Sequence, residues 1–210
     1  MSIFKHDRLL AFAALLVLIS LGLWAYHAFK PLPVNTNFIT DEYSFTYPRV
    51  YATQEYAPGV MSIGHDINGE VYGLIDVNVY MSDPQSTLPK SFNAFVKQQA
   101  ESLCGSDNSI ESITCSQKSI EPYTSPKGDV GQKMELTLVH KNLKTGTTTS
   151  EIYGPFYVFD TTPTGPREAD IPFRYSGVFV YPSFTAFLAG TTTPVLLDQV
   201  ISTLELPKQK

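Results

Sequence analysis

Hydrophobic and polar positions divide the chain into one long apolar run and a series of shorter periodic segments. Leu9 to Phe29 is a run of 21 residues without a formal charge, dominated by Leu, Ala, Val, Ile and Phe. A helix of that length reaches about 30 Å, the thickness of a bilayer's hydrocarbon core. Trp24 and Tyr26 stand toward its far end, where amphipathic rings favour the headgroup region, and Lys5 and Arg8 precede it. The basic flank puts residues 1–8 in the cytoplasm and everything after Lys30 outside it. No Ala-x-Ala pair closes the run, since Ala25 and Ala28 are spaced by three, which favours an uncleaved anchor over a signal peptide. The expectation is a single-pass cell-membrane protein, anchored by residues 9–29, with an extracytoplasmic C-terminal domain.

Residues 30–37, with Pro31 and Pro33, read as an extended spacer. Residues 38–206 have a comfortable length for one domain, followed by a short tail at 207–210. Within the domain the period is mostly two. Tyr43-Ser44-Phe45-Thr46-Tyr47 places an aromatic ring at every second position and stops at Pro48. Val60–Ile67 and Val71–Met81 are joined through Asn68-Gly69, a hairpin signal. Further strand-like runs are Ile110–Ile120, Lys133–His140, Ser150–Phe159 and Phe173–Tyr181. Two segments have the helical period instead. Leu88, Phe92, Phe95, Val96, Gln99 and Leu103 share one face, with Thr87 as N-cap and Gly105 past the end. Leu197, Val200, Ile201 and Leu204 form the other stripe, opened by Thr193 and Pro194. Consecutive strands with separated helices predict an α+β domain, a mostly antiparallel sheet with helices on its faces.

The order of these signals resembles a known family. An opening Tyr-x-Phe-x-Tyr-Pro at Tyr43 to Pro48, then a hairpin and one amphipathic helix, is similar to the PsbP-like extrinsic proteins of photosystem II. The closing helix that ends Ile201-Ser202-Thr203-Leu204-Glu205-Leu206 fits the same pattern. The nuclear import factor that binds Ran shares that fold, and anchored bacterial proteins of unknown function share the layout. One departure is that the family often carries Trp soon after the Tyr-Pro, where this chain has Arg49-Val50-Tyr51 and keeps its single Trp in the N-terminal run. The resemblance implies an α/β/α sandwich and a tendency to dock onto larger assemblies. It supplies no catalytic residues.

Charge narrows the partners. The chain carries 15 Lys and Arg against 20 Asp and Glu, a net charge of −5. With no basic surface to neutralise phosphates, nucleic acid is excluded as the main partner. At 12% aromatic and 17% charged, the composition is that of a folded chain.

Candidate chemistry is sparse. Gly59-Val60-Met61-Ser62-Ile63-Gly64 has one residue too many for a nucleophile elbow, and Gly128 to Lys133 lacks P-loop spacing. No cofactor motif is found. Cys104 and Cys115 are the only cysteines, and an exported domain favours a disulfide between them; without a neighbouring His they lack the paired spacing of a metal site. His65-Asp66 precedes the Asn68-Gly69 turn and His140 ends a strand; both histidines suit exposed strand ends. Asp76 interrupts the apolar run Leu74-Ile75-Asp76-Val77 and shares a strand face with Asn78 and Tyr80, a pattern that fits a solvated face. The stretch from Asp160 to Pro172 holds Arg167, Glu168 and Asp170 among prolines, with Arg174 just beyond. Long loops on a rigid sheet carry binding residues, so Asp76, Arg167, Glu168, Asp170 and Arg174 are the candidates for binding. Tyr51, Tyr56, Tyr153, Tyr157 and Tyr181 could add contact area. The functional expectation is a non-catalytic, membrane-anchored interaction domain that docks onto an envelope protein. The alternative is an anchored ligand-binding protein or hydrolase with a site around His65, Asp66 and Asp76.

Overall fold

The aromatic alternation at the start of the domain is the clearest guide to its architecture. In the computed structural model, which describes residues 19–20, 35–82, 88–103, 111–163 and 173–207, strand β2 (Ser44–Pro48) turns Phe45 and Tyr47 into the core beside Tyr43. It pairs antiparallel with β1 (Asn35–Ile39), whose first residues fall at the end of the Pro-containing spacer. The chain divides into two compact units at Val34, and the second, which begins at Asn35, holds both sheets.

A second sheet holds seven strands: β3 (Ala52–Ala57), β4 (Val60–Ile67), β5 (Glu70–Met81), β6 (Glu111–Thr124), β7 (Val130–Asn142), β8 (Thr148–Asp160) and β9 (Ser176–Pro182). Their order is β3-β4-β5-β9-β8-β7-β6, and every described pairing is antiparallel. The β4–β5 hairpin turns at Asn68 (φ 59°) and Gly69 (φ 88°), both in the left-handed region that such a turn requires. Asp66 locks the turn, its Oδ1 accepting the Gly69 N–H at 2.8 Å. The long edge strand β6 is protected in three ways. It carries Pro122, it bulges between Gln117 and Ser119 where Lys118 pairs with Glu135, and its Gln117 N–H donates to the Glu101 carboxylate.

Three helices stand among the described residues. Helix α1 (Phe92–Ser102) is capped by Ser91, whose hydroxyl accepts the Ala94 N–H. It begins later than Thr87 and Leu88 suggest. Helix α2 (Phe184–Leu188) is a short turn directly after β9, too brief to show a helical period in sequence. Helix α3 (Pro194–Thr203) buries Leu197, Val200 and Ile201, the expected stripe, together with Leu196. Its Thr193 makes no side-chain cap: Pro194 has no N–H, and the Leu196 and Leu197 N–H groups both donate to the Thr193 carbonyl.

The sheet is covered on both faces. On one, β1–β2 and α3 pack Tyr43, Phe45, Leu196 and Val200 against Met61, Ile63, Ile75, Val77, Val178 and Val180. On the other, α1 and α2 cover Leu136, Leu138, Tyr153, Phe156, Phe179 and Tyr181. The domain is thus α+β with an antiparallel sheet flanked by helices.

The membrane part of the expected fold is corrected. Among the described residues no helix is long and apolar enough to cross a membrane. The longest, α1, has 11 residues, or about 16 Å of rise against a hydrocarbon core of about 30 Å. Within the span assigned to the anchor, 9–29, only Ile19 and Ser20 are described, and the rest of that span lies outside the described residues. The transmembrane anchor, the membrane as partner, the single-pass cell-membrane localisation and the anchored, envelope-docking function built on them are therefore not carried forward.

The β4–β5 pairing depends on a glycine. A bulge between Ile63 and Gly64 shifts the register, and a Cβ at Gly64 would fall 1.7 Å from the Tyr72 carbonyl oxygen. The contact is with backbone, so no side-chain rotation can relieve it. Gly64→Ala is expected to lower unfolding stability in urea by about 3 kcal/mol, the upper end of overpacking costs. Gly69→Ala, where a Cβ meets nothing within 4 Å, should lose only about 1 kcal/mol from its positive φ. Equal losses at the two sites would refute the packing account.

Candidate functional site

Strand alternation carries Asp76, Asn78 and Tyr80 to the α2 side of β5. That face is covered rather than solvated: Asn78 is only 5% exposed, and Asp76 lies under the β9–α2 junction. Each polar group there has a partner. The Ser62 hydroxyl, opposite Asp76 on β4, donates to its Oδ1 at 2.5 Å, and the Ser183 side chain, just ahead of α2, lies near enough to the carboxyl to favour its ionised form. The Asn78 Oδ1 accepts the Met61 N–H at 3.0 Å. Its Nδ2 donates to the Tyr181 hydroxyl at 2.7 Å and to the Tyr80 hydroxyl at 3.1 Å. The Tyr153 hydroxyl donates to the Pro182 carbonyl at 2.8 Å, and its ring meets Phe184 and Phe187 of α2.

Burial raises the Asp76 pKa above the usual carboxylate value, against the opposing pull of the Ser62 and Ser183 hydrogen bonds. Burial likewise raises the pKa of Tyr153 and Tyr181, and the nearby Asp76 charge adds to both shifts. These phenols therefore stay protonated as donors.

The alternative site around His65, Asp66 and Asp76 does not assemble. His65 is exposed and meets the Tyr51 ring at 5.2 Å in a tilted arrangement on the α3 side of the sheet, whereas Asp76 faces α2. The Asp66 carboxylate is occupied with the Gly69 turn. Ser62 stands opposite Asp76 and His65 lies three positions further along β4, so alternation points the histidine and the carboxyl to opposite sides of the sheet. His140 pairs instead with Glu151 at 2.9 Å. No group of three or more metal-ligating side chains is found among the described residues.

Of the loop candidates, Arg167, Glu168 and Asp170 lie outside the described residues, and Arg174 is exposed just after them. Among the tyrosines, Tyr153 and Tyr181 are core residues at 0% and 3% exposure, while Tyr56 is 58% exposed. Cys115 is in a disulfide. Cys104, the only other cysteine of the chain, lies outside the described residues.

A second locus has no counterpart among the candidates. A cleft of about 260 Å³ opens between the β2–β3 turn and the start of α3, lined by Pro48, Tyr51, Thr193, Pro194, Val195 and Leu196. Val195 is 81% exposed, and Val50, beside Tyr51 in the turn, is 68% exposed. The Thr193 Oγ1 is buried there without a hydrogen-bond partner among the described residues. The sequence carries one signal for this locus, because Val195 is an apolar residue off the Leu197–Val200–Ile201–Leu204 stripe.

No protein-family model matches the chain, and no curated protein matches it in sequence. Among solved structures it is similar to the solution structure of cyanobacterial PsbP (CyanoP) from Synechocystis sp. PCC 6803. The TM-score is 0.42 and the identity 12%, over 84% of this chain and 94% of that one. That is the fold family the sequence resembles. A similarity of this size assigns no function.

Two predictions follow from the site geometry. A carboxyl whose folded pKa exceeds its unfolded one favours the folded state while protonated; the gain is complete below the unfolded value and is lost as pH rises through the folded value. The stability of the wild type relative to Asp76→Asn, measured by urea unfolding, should therefore decline with rising pH above the ordinary carboxylate range. A pH-independent difference would show that the carboxyl is ionised throughout. For the cysteines, the intact chain is expected to gain two mass units on reduction, with Cys104 and Cys115 in one peptide pair. Replacing both with Ser should cost about 3 kcal/mol in the chain-entropy account of a short closed loop. Free thiols in the purified protein would contradict the pairing.

Proposed function

We propose that the domain beginning at Asn35 is a non-catalytic protein-binding module whose contact surface is the cleft between the β2–β3 turn and α3. The observation that carries this reading is Val195, 81% exposed on a cleft lined by Tyr51 and Leu196, with Val50, 68% exposed, next to Tyr51 in the chain. Apolar side chains left in water around a concave, aromatic-lined surface are what a protein contact buries. The distribution of polar chemistry supports the same view. Ser62 bonds Asp76 beneath the β9–α2 junction, and Asp66 bonds its own turn. These groups hold the fold together. The cleft is modest, which suits one or two anchoring side chains of a partner. Arg167, Glu168, Asp170 and Arg174 are proposed as additional contacts.

The test is site-specific photocrosslinking of the full-length chain in cells that make it. A benzoylphenylalanine at position 195 should give a discrete adduct that is lost when Val50→Asp is added. The same probe at position 152, where Ile152 is exposed on the sheet far along β8, should give none. Equal adducts at both positions, or none at 195, would overturn the reading.

A further inference from the structure

Thr193 stands where α3 needs an N-cap, yet its hydroxyl caps nothing. Pro194 lacks an N–H, and the Leu196 and Leu197 N–H groups both donate to the Thr193 carbonyl. The Val195 N–H is left as the free donor of the first turn, and the Thr193 Oγ1 is buried without a hydrogen-bond partner among the described residues. An orphaned hydroxyl of this kind costs stability that an apolar group of the same shape would not. Both residues line the cleft of about 260 Å³. Across it lies the β2–β3 turn, closed by the Tyr51 N–H on the Pro48 carbonyl. Arg49, inside that turn, is exposed and makes no ion pair among the described residues. None of the lining residues is acidic, and Asp198, the acid of α3, lies near Tyr123 and Tyr157 of the sheet instead. On a chain of net charge −5, the cleft is a place where donors and a cation gather around apolar walls.

We infer that the cleft takes the C-terminal end of a partner chain, its last apolar side chain against Tyr51, Val195 and Leu196 and its terminal carboxylate on Thr193, Val195 and Arg49. This rests on the reading of the cleft as a protein contact, and it names the part of the partner that is held. The volume falls below the about 300 Å³ at which ligand pockets begin, so it suits a single residue. That residue has to bring an apolar group and an anion together. An internal Asp or Glu brings the anion alone, since its neighbours in an extended chain turn to the other side. A terminal Leu, Val or Phe brings both, because carboxylate and side chain share one Cα. The free N–H at the start of a ten-residue helix favours an anion, and the guanidinium adds to the attraction. The guest also satisfies Thr193, whose hydroxyl can rotate about χ1 toward it without breaking a bond.

The probe is a library of short synthetic peptides, random except for a C-terminal Leu with a free carboxylate, selected on the purified full-length chain. Enriched peptides are remade as the acid and as the C-terminal amide, and binding is read by fluorescence anisotropy. Amidation is expected to weaken binding about tenfold or more, and so is Thr193→Val. Thr193→Val should unfold at the same or a higher urea concentration than the wild type, which separates lost affinity from lost fold. Arg49→Gln should cost about threefold and flatten the salt dependence. Val195→Asp, a change at an 81% exposed position, should abolish binding. No enriched peptide, an amide as tight as its acid, full affinity in Thr193→Val, or binding that survives Val195→Asp would each refute the inference. The photocrosslink at position 195 tells the two failures apart: an adduct that persists while acid and amide bind alike removes the terminal carboxylate and leaves the protein contact, whereas a missing adduct removes both.

Discussion

Because β5 lies inside a seven-stranded sheet with layers on both sides, each of its residues has to be satisfied beneath one cover or the other. Toward β1–β2 and α3 it presents Ile75 and Val77, which meet Tyr43 and Phe45 and need nothing but volume. Toward α2 it presents Asp76, Asn78 and Tyr80, three polar groups that lose water when the layer closes. The second face determines much of the remaining structure. Ser62 has to stand opposite Asp76, and Tyr181 has to reach Asn78. A buried polar network of this kind is worth keeping only when every member is bonded. Asp76 meets that condition only by keeping its proton more tightly than an exposed carboxyl would.

Register is what brings these groups together, and register is set by small residues. Gly64 allows β4 to pass the Tyr72 carbonyl, and the register places Ser62, not a neighbour, opposite Asp76. One residue of slip would place His65 on the Asp76 side and make a very different constellation. The separation of histidine from carboxyl is therefore a property of the register, and it removes the acid–base pair that the sequence leaves open.

Much of the fold was legible because strand and helix periods are local. Tyr43 to Tyr47, the Asn68-Gly69 hairpin and the Leu197–Leu204 stripe could be read directly, since each depends on neighbours within a few positions. β1 and β3 were not read, being short and mixed in polarity, and neither was α2, which has too few residues for a period. The anchor shows the opposite hazard: apolar length, a basic flank and two interfacial rings argued for a membrane span that no described helix supports. The site was less legible than the fold. Asp76 stood out as a charge in an apolar run and its face-mates followed from alternation, but the same alternation could not tell a watered face from one roofed by α2. Ser62 and Ser183 are 121 positions apart in sequence, and only the sheet order brings them to one carboxyl. The cleft at Tyr51 and Val195 joins the first and last parts of the domain and carries no motif.

The two loci lie on opposite faces of the sheet yet share a stretch of chain. α2 ends at Leu188 and α3 begins at Pro194, and the link between them is fixed to α2 at Thr191, whose N–H and hydroxyl both donate to the Ala186 carbonyl. The next residues, Thr192 to Leu196, are a wall of the cleft. α3 is itself held firmly, with Leu197, Val200 and Ile201 buried and Thr203 bonded to Thr46 of β2. Both loci are thus built on one stretch of chain: the bonds of Thr191 to α2 and the burial of α3 fix the two ends of the cleft wall, and between them the Thr193 hydroxyl has no hydrogen-bond partner among the described residues.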